Sequence, residues 1–127
     1  MSKKMSNFTL SCIERGFCDE RGAAFCATAT KLPNGEFGMV LLAVKEHALR
    51  IYDILNMREI GELLYSVPLR EISGLKSKTG VINMLLPGEV LSFDYNGAHY
   101  GFTNMYKVNE QLQVLREEAE SGAEDRS

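Results

Sequence analysis

The sequence is poor in the residues that build most catalytic and metal sites. It has only two histidines, His47 and His99, and three cysteines, Cys12, Cys18 and Cys26, without the paired short spacings of a zinc site. It contains no Walker loop, dinucleotide fingerprint or nucleophile elbow. We therefore expect a non-enzymatic domain without a cofactor or metal, and an enzyme with an unrecognised site is the least favoured alternative.

Long hydrophobic runs and a large excess of one charge are also missing. The longest apolar run, Met39 to Val44, has six residues, far fewer than the roughly 18 to 20 of a membrane helix. No apolar block of signal-peptide length follows the two lysines at the start. The net charge is −3 and the 14 basic residues are dispersed, which gives no electrostatic footprint for nucleic acid and weak grounds for membrane association. These absences predict a cytoplasmic protein with reduced thiols.

The length of 127 residues and the apolar content of 45% suit one globular domain with a core of its own. We divide the chain into an N-terminal extension, 1–21, a folded domain, 22–119, and a polar tail, 120–127, that is expected to fray. In the extension Leu10 and Ile13 follow helical spacing, which favours a short helix, although an alternating strand pattern also fits.

From residue 22 onward, stretches of strand-like composition alternate with turn residues. Pro68 is expected to end one strand, because proline cannot donate to a central ladder. Asn96-Gly97 is the strongest two-residue hairpin signal in the chain. The pattern predicts seven strands, at about 24–32, 37–44, 49–54, 63–67, 72–78, 91–95 and 98–102.

The period then changes from strand-like to helical. Five apolar residues recur at steps of three and four: Met105, Val108, Leu112, Leu115 and Ala119. Polar residues, including Glu117 and Glu118, are predicted on the opposite side. Thr103 or Asn104 is the expected N-cap, and Gly122 is expected to end the helix. Because this helix has a single apolar stripe, we expect the stripe to dock on the sheet.

Two segments resemble bacterial pleckstrin-homology-like (PH-like) and GRAM-like domains. Residues 67–72 read V-P-L-R-E-I, which is similar to the "I-P-L-x-x-I" segment of those domains, and residues 91–102 resemble their sixth and seventh strands. The resemblance implies a mainly β fold, an open barrel of seven antiparallel strands capped by a C-terminal helix, here with a short N-terminal helical extension. An NTF2-like cone and a lipocalin-like barrel are weaker alternatives. PH-like domains bind lipids, peptides or other proteins, so the fold alone leaves the function open.

The apolar segment 81–86 is the first candidate site. Two interpretations remain open: the segment extends a buried strand, or Ile82, Met84, Leu85 and Leu86 form an exposed patch for a protein, a peptide or a second copy of the chain. The partner is expected to bind by strand addition at an open sheet edge, or in the groove between the barrel and the C-terminal helix.

The second candidate site would take an anionic lipid or a small anionic ligand. Phosphoinositide-binding PH domains carry basic residues around the first hairpin and within strand two, but residues 37–44 of this chain contain none. Lys31, Arg50 and Arg58 are the basic residues that could form a weaker anionic pocket in nearby loops. This site is therefore the alternative to protein or peptide binding.

Overall fold

The computed structural model describes residues 7–35, 38–55, 59–77, 90–103 and 109–125. The candidate patch Ile82, Met84, Leu85 and Leu86 and the candidate Arg58 lie outside these ranges. The two helices are α1 (Asn7–Glu14) and α2 (Asn109–Asp125), and a short 3₁₀ turn spans Leu69–Glu71. The strands are β1 (Ala24–Lys31), β2 (Gly38–Lys45), β3 (Ala48–Leu55), β4 (Glu59–Pro68), β5 (Ser73–Ser77), β6 (Leu91–Tyr95) and β7 (Ala98–Thr103).

The seven strands form one antiparallel sheet in the order β4-β3-β2-β1-β7-β6-β5. Every pair joins strands that are consecutive in the chain except β1–β7, which links the two halves of the sheet. The sheet ends at β4 and β5, which do not pair with each other within the described residues, so the barrel is open. This arrangement confirms the predicted fold class, an open seven-stranded barrel with a C-terminal helix.

Two of the connections are tight turns with positive φ angles. Asn96 and Gly97 have φ values of 53° and 80°, and Glu46 and His47 have φ values of 52° and 66°. Two successive residues with positive φ form the turn that matches the natural twist of a hairpin. The predicted Asn-Gly hairpin is confirmed, and the same geometry occurs at Glu46-His47, where neither residue is glycine or asparagine.

The main core lies between the inner face of the sheet and α2. Leu112 and Leu115 of α2 are fully buried in the same cluster as the inward side chains of the strands. The helix also packs against the 3₁₀ turn between β4 and β5. The fully buried strand and turn residues of this cluster include Leu42, Leu49, Ile51, Leu69, Leu91, Phe93 and Phe102. Leu112 and Leu115 confirm that the apolar stripe of α2 docks on the sheet, whereas Met105 and Val108 of the predicted stripe lie outside the described residues.

A second, smaller core covers the outer face of β1, β2 and β3. Cys12 of α1 and Cys18 after it are buried there against Leu41 and Tyr52, and Phe17 makes an edge-on ring contact with Tyr52. This outer layer explains the apolar composition of β2, whose side chains are buried on both faces of the sheet. The predicted N-terminal helix is therefore present, and it closes the outside of the sheet.

Three local predictions differ from the structure. β4 begins at Glu59 rather than near Leu63. Its last residue is Pro68, as predicted, and β4 tolerates this proline because it is an edge strand. α2 continues past Gly122 to Asp125, so Gly122 does not end the helix. Glu118 was expected on the polar side of the helix, but it is buried, because two basic side chains reach it from other parts of the chain.

Candidate functional site

A groove with a volume of about 510 Å³ runs between β5 and α2. The strand side of the groove includes Ile72 and Leu75, and the helix side includes Arg116, Ala119 and Glu120. Leu75 on the strand side and Leu115 on the helix side both pack in the main core. The two walls of the groove are therefore held by the same core.

The strand wall is also an edge of the sheet. Within the described ranges β5 pairs with β6 alone, and its residues Ser73, Gly74 and Lys76 are exposed. A register shift between Ser73 and Lys76 and the positive φ of Gly74, 61°, make the strand irregular at its start. The open edge and the groove beside the helix were predicted as two separate options for binding. In the structure both lie at β5.

The groove carries a small excess of positive charge. Lys76 and Arg116 line it, and neither makes an ion pair with another described residue. Glu120 is the one carboxylate among the described lining residues, so two cations and one anion give these residues a net charge of +1. The walls therefore combine apolar side chains with two cations available to a ligand.

An ion cluster around the buried carboxylate of Glu118 lies on α2 next to the groove, and its partners Arg21 and His47 are 40% and 57% exposed. The Glu118 side chain is 8% exposed; Arg21 Nη2 donates to its Oε1 at 2.7 Å, and His47 Nδ1 lies 2.7 Å from its Oε2. Asp19 accepts a second bond from the same Arg21 nitrogen at 2.8 Å. Burial alone would raise the pKa of Glu118, but the bonds from His47 and Arg21 outweigh it and lower that pKa.

Sequence patterns did not predict this cluster, which we call the Glu118 cluster and define as Asp19, Arg21, His47 and Glu118. One signal was available: Glu118 follows Leu115 by three residues, so it continues the buried stripe of the helix. Its partners come from the N-terminal segment and from the β2–β3 turn, and the spacing of residues within α2 cannot identify them.

The structure does not bring Lys31 and Arg50 together. Arg50 pairs across the sheet with Ala43, which pairs with Ala24 at the start of β1, while Lys31 is at the end of β1. Seven residues of strand separate those rows by about 23 Å at 3.3 Å per residue. Arg50 also bonds Glu46 at 3.2 Å. One small anion cannot contact both side chains.

Lys31 instead shares a row with Lys76. A register shift in β1 leaves one extra residue, Thr30, and pairs Lys31 with Gly101 on the outer face. Gly101 pairs with Ser92, and Ser92 pairs with Lys76. Three neighbouring strand spacings separate the two lysines by about 14 Å at the backbone, a gap that their long side chains can narrow.

The remaining histidine, His99, lies on the outer face of β7. Its Nδ1 is 2.9 Å from Oδ1 of Asp94, the residue opposite it on β6. The pair is well exposed to solvent. Across the described ranges no group of three or more His, Cys, Asp or Glu side chains is placed to hold a metal ion. Neither described helix is long and apolar enough to cross a membrane.

Comparisons with known proteins find distant structural similarity. No family model and no curated protein matches the chain. Inner Membrane Complex Sub-compartment Protein 3 from Toxoplasma gondii is similar with a TM-score of 0.48 and 13% identity over 94% of this chain and 90% of that one. The Slm1-PH domain, reported to bind ligand in a non-canonical site, is similar with a TM-score of 0.47 and 7% identity over 76% of this chain and 91% of that one. At such low values the fold assignment depends on the strand order and the position of α2.

Proposed function

We propose that this chain is a non-enzymatic interaction domain that binds an extended peptide segment of a protein partner in the groove between β5 and α2. The observation that carries the proposal is that β5 pairs on one side alone among the described residues and lines a groove of about 510 Å³. An extended peptide can pair its backbone with such an edge, and a neighbouring helix can select its side chains.

The walls of the groove favour a particular peptide chemistry. Ile72, Leu75 and Ala119 offer apolar surface. Arg116 offers one cation, and Lys76, on the outer face of the edge strand, offers a second at the rim of the groove. An apolar side chain beside an aspartate or glutamate would match both features. The partner is therefore expected to carry a short strand-forming segment with at least one acidic residue. A second copy of this chain would supply that segment if the domain self-associates.

The test is a selection of random peptides displayed on phage against the purified chain. Selected peptides should bind the wild type, and Ala119→Trp, which fills the groove, should weaken their binding at least tenfold. Gln113→Trp is the matched control, because Gln113 is exposed on the same helix and does not line the groove. Slower amide exchange in β5 on peptide binding would show strand addition.

Two results would contradict the proposal. Either no peptide is enriched, or the enriched peptides bind Ala119→Trp as tightly as they bind the wild type. Light scattering identifies a second copy as the occupant if the wild type forms a dimer that Ala119→Trp, but not Gln113→Trp, dissociates. The patch Ile82, Met84, Leu85 and Leu86 stays a prediction, tested by the effect of Met84→Asp on solubility and self-association.

A second candidate function is the binding of an anionic lipid or small anion. The observation that favours it is the row in which Lys31 and Lys76 face the same side of the sheet. Sedimentation with phosphatidylserine vesicles should show binding that weakens as the salt concentration rises. Lys31→Ala and Lys76→Ala should reduce this binding, whereas Arg50→Ala, at the other end of the sheet, should not. Absence of binding at low salt would exclude this function.

A further inference from the structure

We propose that the Glu118 cluster holds α2 in its position as the helix wall of the groove. The N-terminal segment and the β2–β3 turn, which supply the partners of Glu118, thereby control the width of the peptide site. Glu118 and Arg21 are therefore positioning residues of that site. This inference rests on the proposed function for its consequence in binding, and its geometric part can be tested without a ligand.

Glu118 lies on the turn of α2 that forms the helix wall of the groove. Arg116, Ala119 and Glu120 line the groove and lie within one helical turn of Glu118. A helix turn is stiff because its backbone bonds link residues four apart, so a constraint on Glu118 is passed to its neighbours on the same turn. The restraint on Glu118 therefore acts on the helix wall of the groove.

The Glu118 carboxylate links α2 to two other parts of the chain. Its side chain is only 8% exposed, and Arg21 and His47, which are 40% and 57% exposed, both bond it. Removing one partner leaves the carboxylate with fewer of the bonds that hold it in place. α2 then loses one of its links to the N-terminal segment or to the β2–β3 turn, and its distance from β5 is less restricted.

His47 has a backbone conformation that favours glycine. Its φ of 66° lies in the left-handed region, which glycine adopts at the lowest steric cost. The bond from His47 Nδ1 to Glu118 gives this histidine a role that glycine would lack. The same turn is tied to the 3₁₀ turn, because Leu69 N donates to His47 O at 3.0 Å.

The N-terminal side of the cluster is anchored independently. Asp19 N donates to Val44 O at 3.2 Å, and Lys45 Nζ donates to Gly16 O at 2.6 Å, so the segment after α1 is held to the end of β2. Asp19 in turn orients Arg21 through bonds to its side chain and its backbone nitrogen. The segment therefore presents Arg21 to α2 from a fixed base.

The ligand-free test is amide hydrogen exchange in Glu118→Ala, Arg21→Ala and His47→Asn. Exchange at residues 116–120 should rise at least tenfold, while exchange in the β6–β7 hairpin stays near the wild-type value. His47→Asn is informative because asparagine suits the turn but is too short to replace the imidazole. Arg21→Lys should restore part of the protection, and Glu117→Gln, on an exposed neighbour of Glu118, is the matched control.

The outcomes separate this inference from the proposed function. Unchanged exchange in α2, or a rise of equal size in every strand of the variants, would overturn the positioning role. If peptides selected on the wild type bind Arg21→Ala and His47→Asn with unchanged affinity, the cluster does not control the site although the groove binds peptides. If no peptide is selected, the proposed function fails, and the exchange data still decide whether the cluster holds α2.

Discussion

The docking of α2 can be tested by replacing Leu112 with alanine. The Leu112 side chain is 0% exposed and belongs to the cluster that includes Phe93 and Phe102. The substitution removes three carbon atoms, worth about 2.4 kcal/mol at about 0.8 kcal/mol for each buried methylene. The cavity left behind adds to this loss, so we expect the free energy of unfolding to fall by about 2 to 5 kcal/mol.

The measurement is urea unfolding followed by far-UV circular dichroism, since the chain has no tryptophan to report on its core. The matched control is Gln113→Ala, at the exposed neighbouring position of the same helix, which should change the free energy of unfolding by less than about 0.5 kcal/mol. If Leu112→Ala is no more destabilising than this control, α2 does not close the core. The groove, the proposed peptide site and the positioning role of Glu118 all require α2 to pack on the core, so this result would contradict all three.

Three further predictions follow from single features of the structure. Gly97→Ala should destabilise the domain by about 1 to 2 kcal/mol in the same urea assay, because alanine must adopt the φ of 80°. A steric clash is not the cause, since no atom lies within 4 Å of the new Cβ. An unchanged urea midpoint would contradict the positive φ at this turn. In native protein at pH 8, iodoacetamide should alkylate the exposed Cys26 before Cys12 and Cys18, since burial raises the pKa of the Cys18 thiol to about 11; faster modification of Cys18 would contradict its burial. The folded pKa of Glu118 is lowered, so this residue stabilises the fold above its unfolded pKa, and the contribution is lost as the pH falls through the folded pKa. The free energy of unfolding of Glu118→Gln should therefore depend less on pH below about pH 4.3 than that of the wild type. An acid transition as steep as that of the wild type would refute this linkage.

Sequence patterns predicted much of the fold where neighbouring residues decide the structure. The Asn96-Gly97 turn needs two positive φ angles, and the residues that adopt them easily are recognisable in any sequence. The stripe of α2 was visible because Leu112 and Leu115 follow the helical period. Prediction was weaker at element ends: Gly122 lies inside α2, since glycine permits the end of a helix but does not enforce it.

The candidate site was predicted in outline only. The open edge and the groove were both anticipated, but their union on β5 and α2 was not. The pairing of Lys31 with Arg50 was suggested by their common position near the first strands, and the register separates them by about 23 Å along the sheet. A single extra residue in β1 placed Lys31 in a row with Lys76 instead. No local sequence pattern predicts this register shift, because it depends on how β1 pairs with β7.

The amino-acid order by itself determined the strands, their tight turns and the apolar stripe of the last helix, because those features arise from contacts between residues a few positions apart. Only the tertiary structure decided that β1 pairs with β7, that α1 covers the outer face, and that Arg21 meets Glu118 across 97 positions of the chain. Contacts of this kind depend on how whole elements pack and on which buried charge must find a partner. The groove and the cluster beside it exist for that reason only in the folded molecule.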